Sequence, residues 1–377
     1  MADSTIYLDH AATTPVRREA VEAMLPLLTE GFGNPSGAHR VAREARRALE
    51  DARETLAALL GVEAGDVVFT SGGTEADSLA VCGVHARSGG TVLCSAIEHK
   101  AVLAATRACD GETFPVDGGL VDLEALQSAL ESHDVSLVSV MAANNEVGTV
   151  QPVAAVVDVV RQAAPQALVH SDAVQAFAYA DIAKICEKVD LLSLSAHKFG
   201  GPPGVGALIV KGRARELIAP IHHGGGQERD LRSGTHNVAG IAAMAVAAQH
   251  ATAERAETAS RVGELRDAFE REAQREIEGV TVTASDAPRL PSISHLHFAG
   301  VETEELLLLL DRQGVAASAG SACSSGAARP SHVLLAMGMD PPRARSCVRF
   351  SLGRTTTETE IDAAVAALAK SVETLRA

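Results

Sequence analysis

The 377-residue chain has no tryptophan, two tyrosines, six cysteines and only six lysines against 27 arginines. Its longest run of large aliphatic residues, Leu306 to Leu310, is far short of the roughly 20 residues that cross a bilayer. No basic segment leads into an apolar one at the N-terminus, so neither export nor organelle import is indicated, and a cytoplasmic location with no membrane partner is expected. The cysteines (Cys82, Cys94, Cys109, Cys186, Cys323 and Cys347) are scattered, with no CxxC and no paired Cys/His spacing. That pattern argues against a disulfide framework and a structural zinc site. His222 and His223 are adjacent but lack a third ligand at useful spacing, so no metal is expected. Basic residues are outnumbered 33 to 48, a net charge of −15. Such a balance is poorly suited to phosphate backbones, and no direct nucleic-acid partner is expected.

What is present suits a folded protein with a large core, since 46% of residues are hydrophobic and 21% charged. The length suggests a large domain plus a smaller one. From His39 to Leu60 the apolar stripe Ala45, Leu49, Ala52, Leu56 and Leu59 predicts a helix stopped by Gly61. Short apolar runs then recur between helical patterns: Val67–Phe69, Val92–Cys94, Leu137–Met141, Ala167–Val169, Leu191–Leu194 and Gly206–Val210. Bounded by Gly, Ser or Asp, they predict buried strands of a largely parallel sheet, whose ligand site lies beyond the carboxyl ends of its strands. A long helical stretch from Val238 to Gly279 precedes a different pattern, with strands at Ser292–Phe298 and Val348–Ser351. A closing helix is signalled by the capping box Thr357-x-x-Glu360.

Three loops carry candidate chemistry. After Val67–Phe69 comes Thr70-Ser71-Gly72-Gly73-Thr74-Glu75, a strand-to-helix turn that offers backbone N–H groups to an anion, with Thr74 as helix cap and phosphate donor. It lacks the Walker lysine and the GxGxxG spacing, and an ordinary capped turn is the plainer alternative. Lys198 follows the apolar strand 191–194 within Ser195-Ala196-His197-Lys198. A lysine there is solvated, paired or used covalently, and desolvation would make its amine a competent Schiff-base nucleophile. Asp172, after another strand, needs a cationic or hydrogen-bonding partner, and the ring nitrogen of pyridoxal phosphate (PLP) would serve.

With these three, the chain resembles the class V aminotransferase-like PLP enzymes, and within them the cysteine desulfurases of the NifS/IscS type. The resemblance runs nearly end to end, through Tyr7 to Pro15, Gly33-Asn34-Pro35-Ser36, Glu98-His99-Lys100, Asn144 to Gly148 and Ser195 to Lys198. It continues through His223 to Glu228, Arg232-Ser233-Gly234-Thr235 and Arg349 to Arg354. It implies an α/β chain of PLP fold type I, with a large domain of mostly parallel central sheet flanked by helices and a smaller α+β domain. Residues 15–255 would form the large PLP-binding domain, and 1–14 with 256–377 the small one. By the same resemblance Lys198 would hold PLP covalently, Asp172 would pair with its ring nitrogen, Gln175 would bond the ring hydroxyl and His99 would stack on the ring. Gly73, Thr74, Ser195 and His197 would bind the phosphate, joined by Thr235 from a second copy, which implies a homodimer. Asn34, Asn145 and Arg349 would hold the substrate, with the Arg349 guanidinium on its carboxylate.

Cys323 narrows the reaction. It lies in Ala317-Ser318-Ala319-Gly320-Ser321-Ala322-Cys323-Ser324-Ser325-Gly326, a run without large apolar side chains, which predicts a mobile loop. It looks like the longer, group I desulfurase loop. The implied reaction takes L-cysteine to L-alanine, with His99 moving protons, and leaves a persulfide on Cys323 for an acceptor such as an iron–sulfur scaffold or a thiolation enzyme. A selenocysteine or cystine lyase, a class V aminotransferase and a noncatalytic scaffold are the alternatives. The end of the chain at Ala377, just after the last helical pattern, leaves the docking of an acceptor open.

Overall fold

Along the run Val67-Val68-Phe69, successive side chains point to opposite faces, and all three are buried. Val67 and Phe69 join a core that contains Leu49 and Leu56. Val68 joins another that contains Leu79 and Val84. A strand apolar on both faces belongs inside a three-layer sandwich, and that is the architecture of the computed structural model, which describes residues 5–320 and 330–377.

The strands of the central sheet are β1 (Val67–Thr70), β2 (Thr91–Ser95), β3 (Glu112–Phe114), β4 (Val135–Ser139), β5 (Leu168–Asp172), β6 (Leu191–Ser195) and β7 (Gly206–Val210). Their spatial order is β1-β7-β6-β5-β4-β2-β3. All pairs are parallel except those of β7, which runs antiparallel to both β1 and β6. The sheet is thus mostly parallel, as expected, with one reversed strand. Two expected boundaries move. The run around Leu137 forms a strand at Val135–Ser139 rather than 137–141, and the strand at 168 extends through Asp172, so that carboxylate ends the strand instead of following it.

Helices α1 (Arg18–Thr29), α2 (Arg40–Leu60), α3 (Gly73–Ser88) and α4 (Lys100–Ala108) precede the long α5 (Val238–Glu276). Helix α2 ends as predicted, with Gly61 in the left-handed conformation at φ 68° closing the last turn. At α3 the expectation is corrected: Gly72, at φ 153°, is the N-cap, Thr74 lies inside the first turn, and no side chain caps the helix. Glycine at 72 permits that backbone, and the first N–H groups of α3 are left without a side-chain cap.

Helix α5 has 39 residues, a span of roughly 60 Å. Its first half packs Ile241, Met244 and Ala248 into the core beneath the central sheet, and its second half packs Val262, Phe269 and Ala273 into another. That second core lies under an antiparallel sheet of β8 (Val280–Val282), β9 (Ile293–Phe298) and β10 (Cys347–Ser351), with α6 (Thr303–Arg312) and α7 (Glu358–Arg376). Leu8 belongs to the same core, and Ile6–Tyr7 pairs in parallel with Val315–Ala316. The Thr357/Glu360 capping box opens α7 with both reciprocal bonds formed. Among the described residues no helix is long and apolar enough to cross a membrane.

Candidate active site

The parallel strands β1, β2, β4, β5 and β6 all deliver their carboxyl ends to one side of the sheet, and a cavity of about 280 Å³ opens there. From β1 come Gly73 and Thr74, from the segment after β2 His99 and Lys100, and from that after β4 Asn145. The end of β5 contributes Asp172 and, three residues on, Gln175, while β6 leads to Ser195, His197 and Lys198. Arg349 closes the wall from β10.

The glycine turn is built for close approach. A Cβ on Gly73 would come within 2.8 Å of Val174 Cγ2, and one on Gly206 within 2.7 Å of the Gly72 backbone. The uncapped N-terminus of α3 therefore faces the cavity without side chains in the way, an arrangement suited to a phosphate.

The Lys198 amine donates to the carbonyls of Ala11 and, at 2.9 Å, Ala12. Asp172 is 5% exposed and accepts from Val174 N at 2.8 Å. Burial raises its pKa, and the nearby His99 and Lys198 pull the other way. His99 is the N-cap of α4, and its Nδ1 accepts from Ala101 N at 3.2 Å. Since an accepting Nδ1 carries no proton, the neutral ring holds its proton on Nε2. Burial lowers the His99 pKa and the Lys198 ammonium adds to this, while Asp172 opposes it. His197, with Nδ1 at 3.1 Å from Thr13 Oγ1, is pushed by burial down to about 4. Both imidazoles are neutral at neutral pH.

Gln175 is buried and its Oε1 has no hydrogen-bond partner among the described groups. A buried carbonyl oxygen left unpaired is costly, and a ligand hydroxyl would satisfy it. An anion cradle, a lysine amine, a buried carboxylate and an unpaired amide oxygen around one cavity match the phosphate, aldehyde, ring nitrogen and ring hydroxyl of PLP. The residues present fit that group.

Two expected site residues do not line this cavity. Asn34 is exposed, its side chain turned to its own loop to accept from Ser36 N at 3.0 Å, and Thr235 is exposed as well. Sequence inspection also missed wall residues. Asp77, Glu146 and His332 border the cavity. The signal for Asp77 was an acid between the apolar Ala76 and Leu79 on a buried helix face; His332 had none, because it enters from a segment distant in sequence. Cys323 lies outside the described residues. Of the other five cysteines, Cys94, Cys109, Cys186 and Cys347 are buried and Cys82 is half-buried. Burial raises those four thiols to about 12, 12, 11 and 12 respectively.

Comparison with known proteins agrees with this geometry. Residues 6–364 match the aminotransferase class-V family. A cysteine desulfurase IscS of Dictyoglomus turgidum is 42% identical over 98% of this chain and 95% of its own length. An IscS-like cysteine desulfurase of Mycobacterium tuberculosis is 43% identical over 98% and 97%. Among solved structures, a NifS-like protein superimposes with a TM-score of 0.89 at 36% identity, covering 99% of each chain.

Proposed function

The chain belongs to the aminotransferase class-V family and is a cysteine desulfurase, and we propose that it works with PLP held on Lys198 and leaves the sulfur of L-cysteine on Cys323. The observation that carries the residue roles is the convergence of Lys198, Asp172, His99 and Gln175 Oε1 on one cavity. Bound there, PLP supplies an electron sink for the charge that develops at the substrate Cα.

The chain's own residues do the rest. The Arg349 guanidinium holds the substrate carboxylate, and Asn145 stands beside it. Asp172 keeps a negative charge facing the ring nitrogen, and the first turn of α3 with Thr74, Ser195 and His197 holds the phosphate. The Lys198 amine takes the Cα proton, and His99, with its proton on Nε2, delivers protons inside the cavity. The Cys323 thiolate attacks the substrate sulfur. An S–S bond forms as the C–S bond breaks, the electron pair stays with carbon, and that carbon takes up a proton on the way to L-alanine. None of the four deeply buried thiols competes, because each is held protonated.

Thr235 serves a neighbouring copy in this scheme, which makes the enzyme a homodimer with shared sites. Residues 15–255 form the PLP-binding domain, with 1–14 and 256–377 as the small domain. The persulfide passes to an acceptor protein for iron–sulfur cluster assembly or thiolation, in the cytoplasm.

Lys198→Ala tests the assignment. Intact mass after borohydride reduction should show PLP fixed to the wild type and absent from the variant, with alanine formation down by about 10³-fold or more. Covalent PLP retained in Lys198→Ala overturns the lysine assignment.

A further inference from the structure

Asp77 has no part in the chemistry described so far. It lies on α3 three residues beyond Thr74, is 1% exposed, and borders the cavity. Asp77, His99 and Asp172 each place a polar side-chain atom within 4.8 Å of the others. Asp77 Oδ1 has no hydrogen-bond partner among the described groups. The Ser193 hydroxyl is close to the same carboxyl and favours its charged form, and His170 Nε2 stands 3.7 Å from Oδ1. His170 is itself clamped, with Nε2 at 2.9 Å from Ser193 Oγ and Nδ1 at 2.8 Å from Ser139 Oγ. That ring is fully buried, and burial takes its pKa to about 3, so it is neutral.

Among the described residues, the polar groups closest to this carboxyl thus include a hydroxyl and an uncharged ring. A buried carboxylate with an unpaired oxygen is unstable, and a second carboxylate within 4.8 Å makes it more so. A neutral acid removes both penalties.

We propose that Asp77 is a positioning residue for Asp172: a neutral carboxylic acid, set beside Ser193 and the His170 ring, that leaves Asp172 as the carboxylate facing the cofactor's ring nitrogen. The proposal rests on the assignment of Asp172 to that nitrogen. If Asp77 ionised, the charge meant for the ring would be shared between two carboxylates, and the proton on the ring nitrogen would be bound over a different pH range. The charged and titratable groups around it are Glu98 and His99 ahead of α4, His170 and Asp172 on β5, and Lys198 beyond β6. Burial, with the facing Asp172 and then Glu98, pushes the Asp77 carboxyl well above the usual carboxylate range.

Infrared spectroscopy on the PLP-loaded protein reads the protonation state directly. In wild type labelled with ¹³C-aspartate, at about pH 8, a protonated-carboxyl C=O stretch should appear shifted by the label, which separates it from Glu98. It should vanish in Asp77→Asn and persist in Asp172→Asn. Asp77→Asn, neutral and of the same shape, should keep PLP affinity within about 3-fold, whereas Asp172→Asn should weaken it by about 30-fold or more. It should also leave unchanged the pH midpoint of the bound cofactor's absorbance. A wild type with no labelled protonated-carboxyl band overturns the proposal without any variant having to fold, and so does an absorbance midpoint that moves by about one pH unit in Asp77→Asn. If Asp172→Asn binds PLP as tightly as wild type, the ring-nitrogen assignment fails instead, while the infrared band still decides whether Asp77 is neutral.

Discussion

Arg349 Nη2 lies 2.7 Å from Asp9 Oδ1, and this pair of a buried arginine and a half-buried aspartate fastens strand β10 to the N-terminal segment at the wall of the candidate active-site cavity. Nη1 donates to the carbonyl of Asn145 at 2.8 Å, while Nε has no partner among the described groups. The guanidinium is thus oriented from two sides before any substrate arrives, and part of its donor set is already committed. Pre-orientation of this kind lowers the entropic cost of gripping a carboxylate.

Arg349→Lys keeps the charge and loses the planar fork. The KM for L-cysteine should rise about 10- to 100-fold with a smaller change in kcat, measured by steady-state alanine formation. An unchanged KM removes Arg349 from carboxylate binding.

The cysteines divide by burial. At about pH 8 the thiols of Cys94, Cys186 and Cys347, raised to about 12, 11 and 12, are ionised to only about one part in 10³ to 10⁴. Cys323→Ala should abolish the enzyme-bound persulfide while PLP stays bound, whereas Cys94→Ala, Cys186→Ala and Cys347→Ala should each retain it. Persulfide-selective alkylation followed by mass spectrometry distinguishes these outcomes, and a persulfide still formed in Cys323→Ala ends that residue's assignment.

Acid should destabilise the fold earlier than carboxylates alone would. Burial lowers His10 to about 4 and both His170 and His295 to about 3, against 6.5 when unfolded. Below pH 6.5 the unfolded chain therefore takes up protons that the native one refuses. Their contribution is complete above that value and is lost as pH falls, by about 1.4 kcal/mol per pH unit for each ring between about pH 6 and 4.5. Urea unfolding at several pH values should show this slope, and His170→Asn should flatten it by one ring's share. A slope identical to wild type would mean that His170 is not held neutral.

Glu228 anchors the loop that presents Thr235. It pairs with Arg53 at 2.7 Å, accepts from Phe69 N at 2.7 Å and meets His236 at 2.7 Å. Although burial pushes its pKa up, the bonds from Arg53 and His236 hold it at about 2. Glu228, Arg229 and Asp230 all have positive φ, at 48°, 56° and 66°, a strained run that this ion pair restrains. Glu228→Gln removes the buried, bidentate half of the Arg53 pairing and leaves only Glu50, at 3.0 Å and partly exposed, with the Val67 carbonyl, and should cost about 2–4 kcal/mol by denaturant unfolding. A loss below about 1 kcal/mol would show that the remaining Glu50 pairing alone satisfies Arg53.

Several features of this protein were settled by local sequence. The alternation of short apolar runs with amphipathic stretches specified the layered α/β architecture, and Gly61 and the Thr357/Glu360 box marked helix ends through bonds made within a few residues. Lys198 and Asp172 stood out because a charge at the end of an apolar strand must be accounted for wherever the strand lies. The ordered family motifs added the identity of the cofactor they suit.

Tertiary structure alone decided the rest. The reversal of β7, the burial of Arg349 against Asp9, and the gathering of Asp77, Asp172 and His99 within 4.8 Å depend on strand order and on contacts between residues far apart in the chain. The scarcity of lysine and cysteine singled out which residues mattered. Desolvation then determined how they behave: it holds four thiols protonated, keeps the neighbouring imidazoles neutral, and sets two buried carboxyls side by side in one site. That energy depends on which atoms exclude water from a group, and adjacent residues in the chain do not fix it.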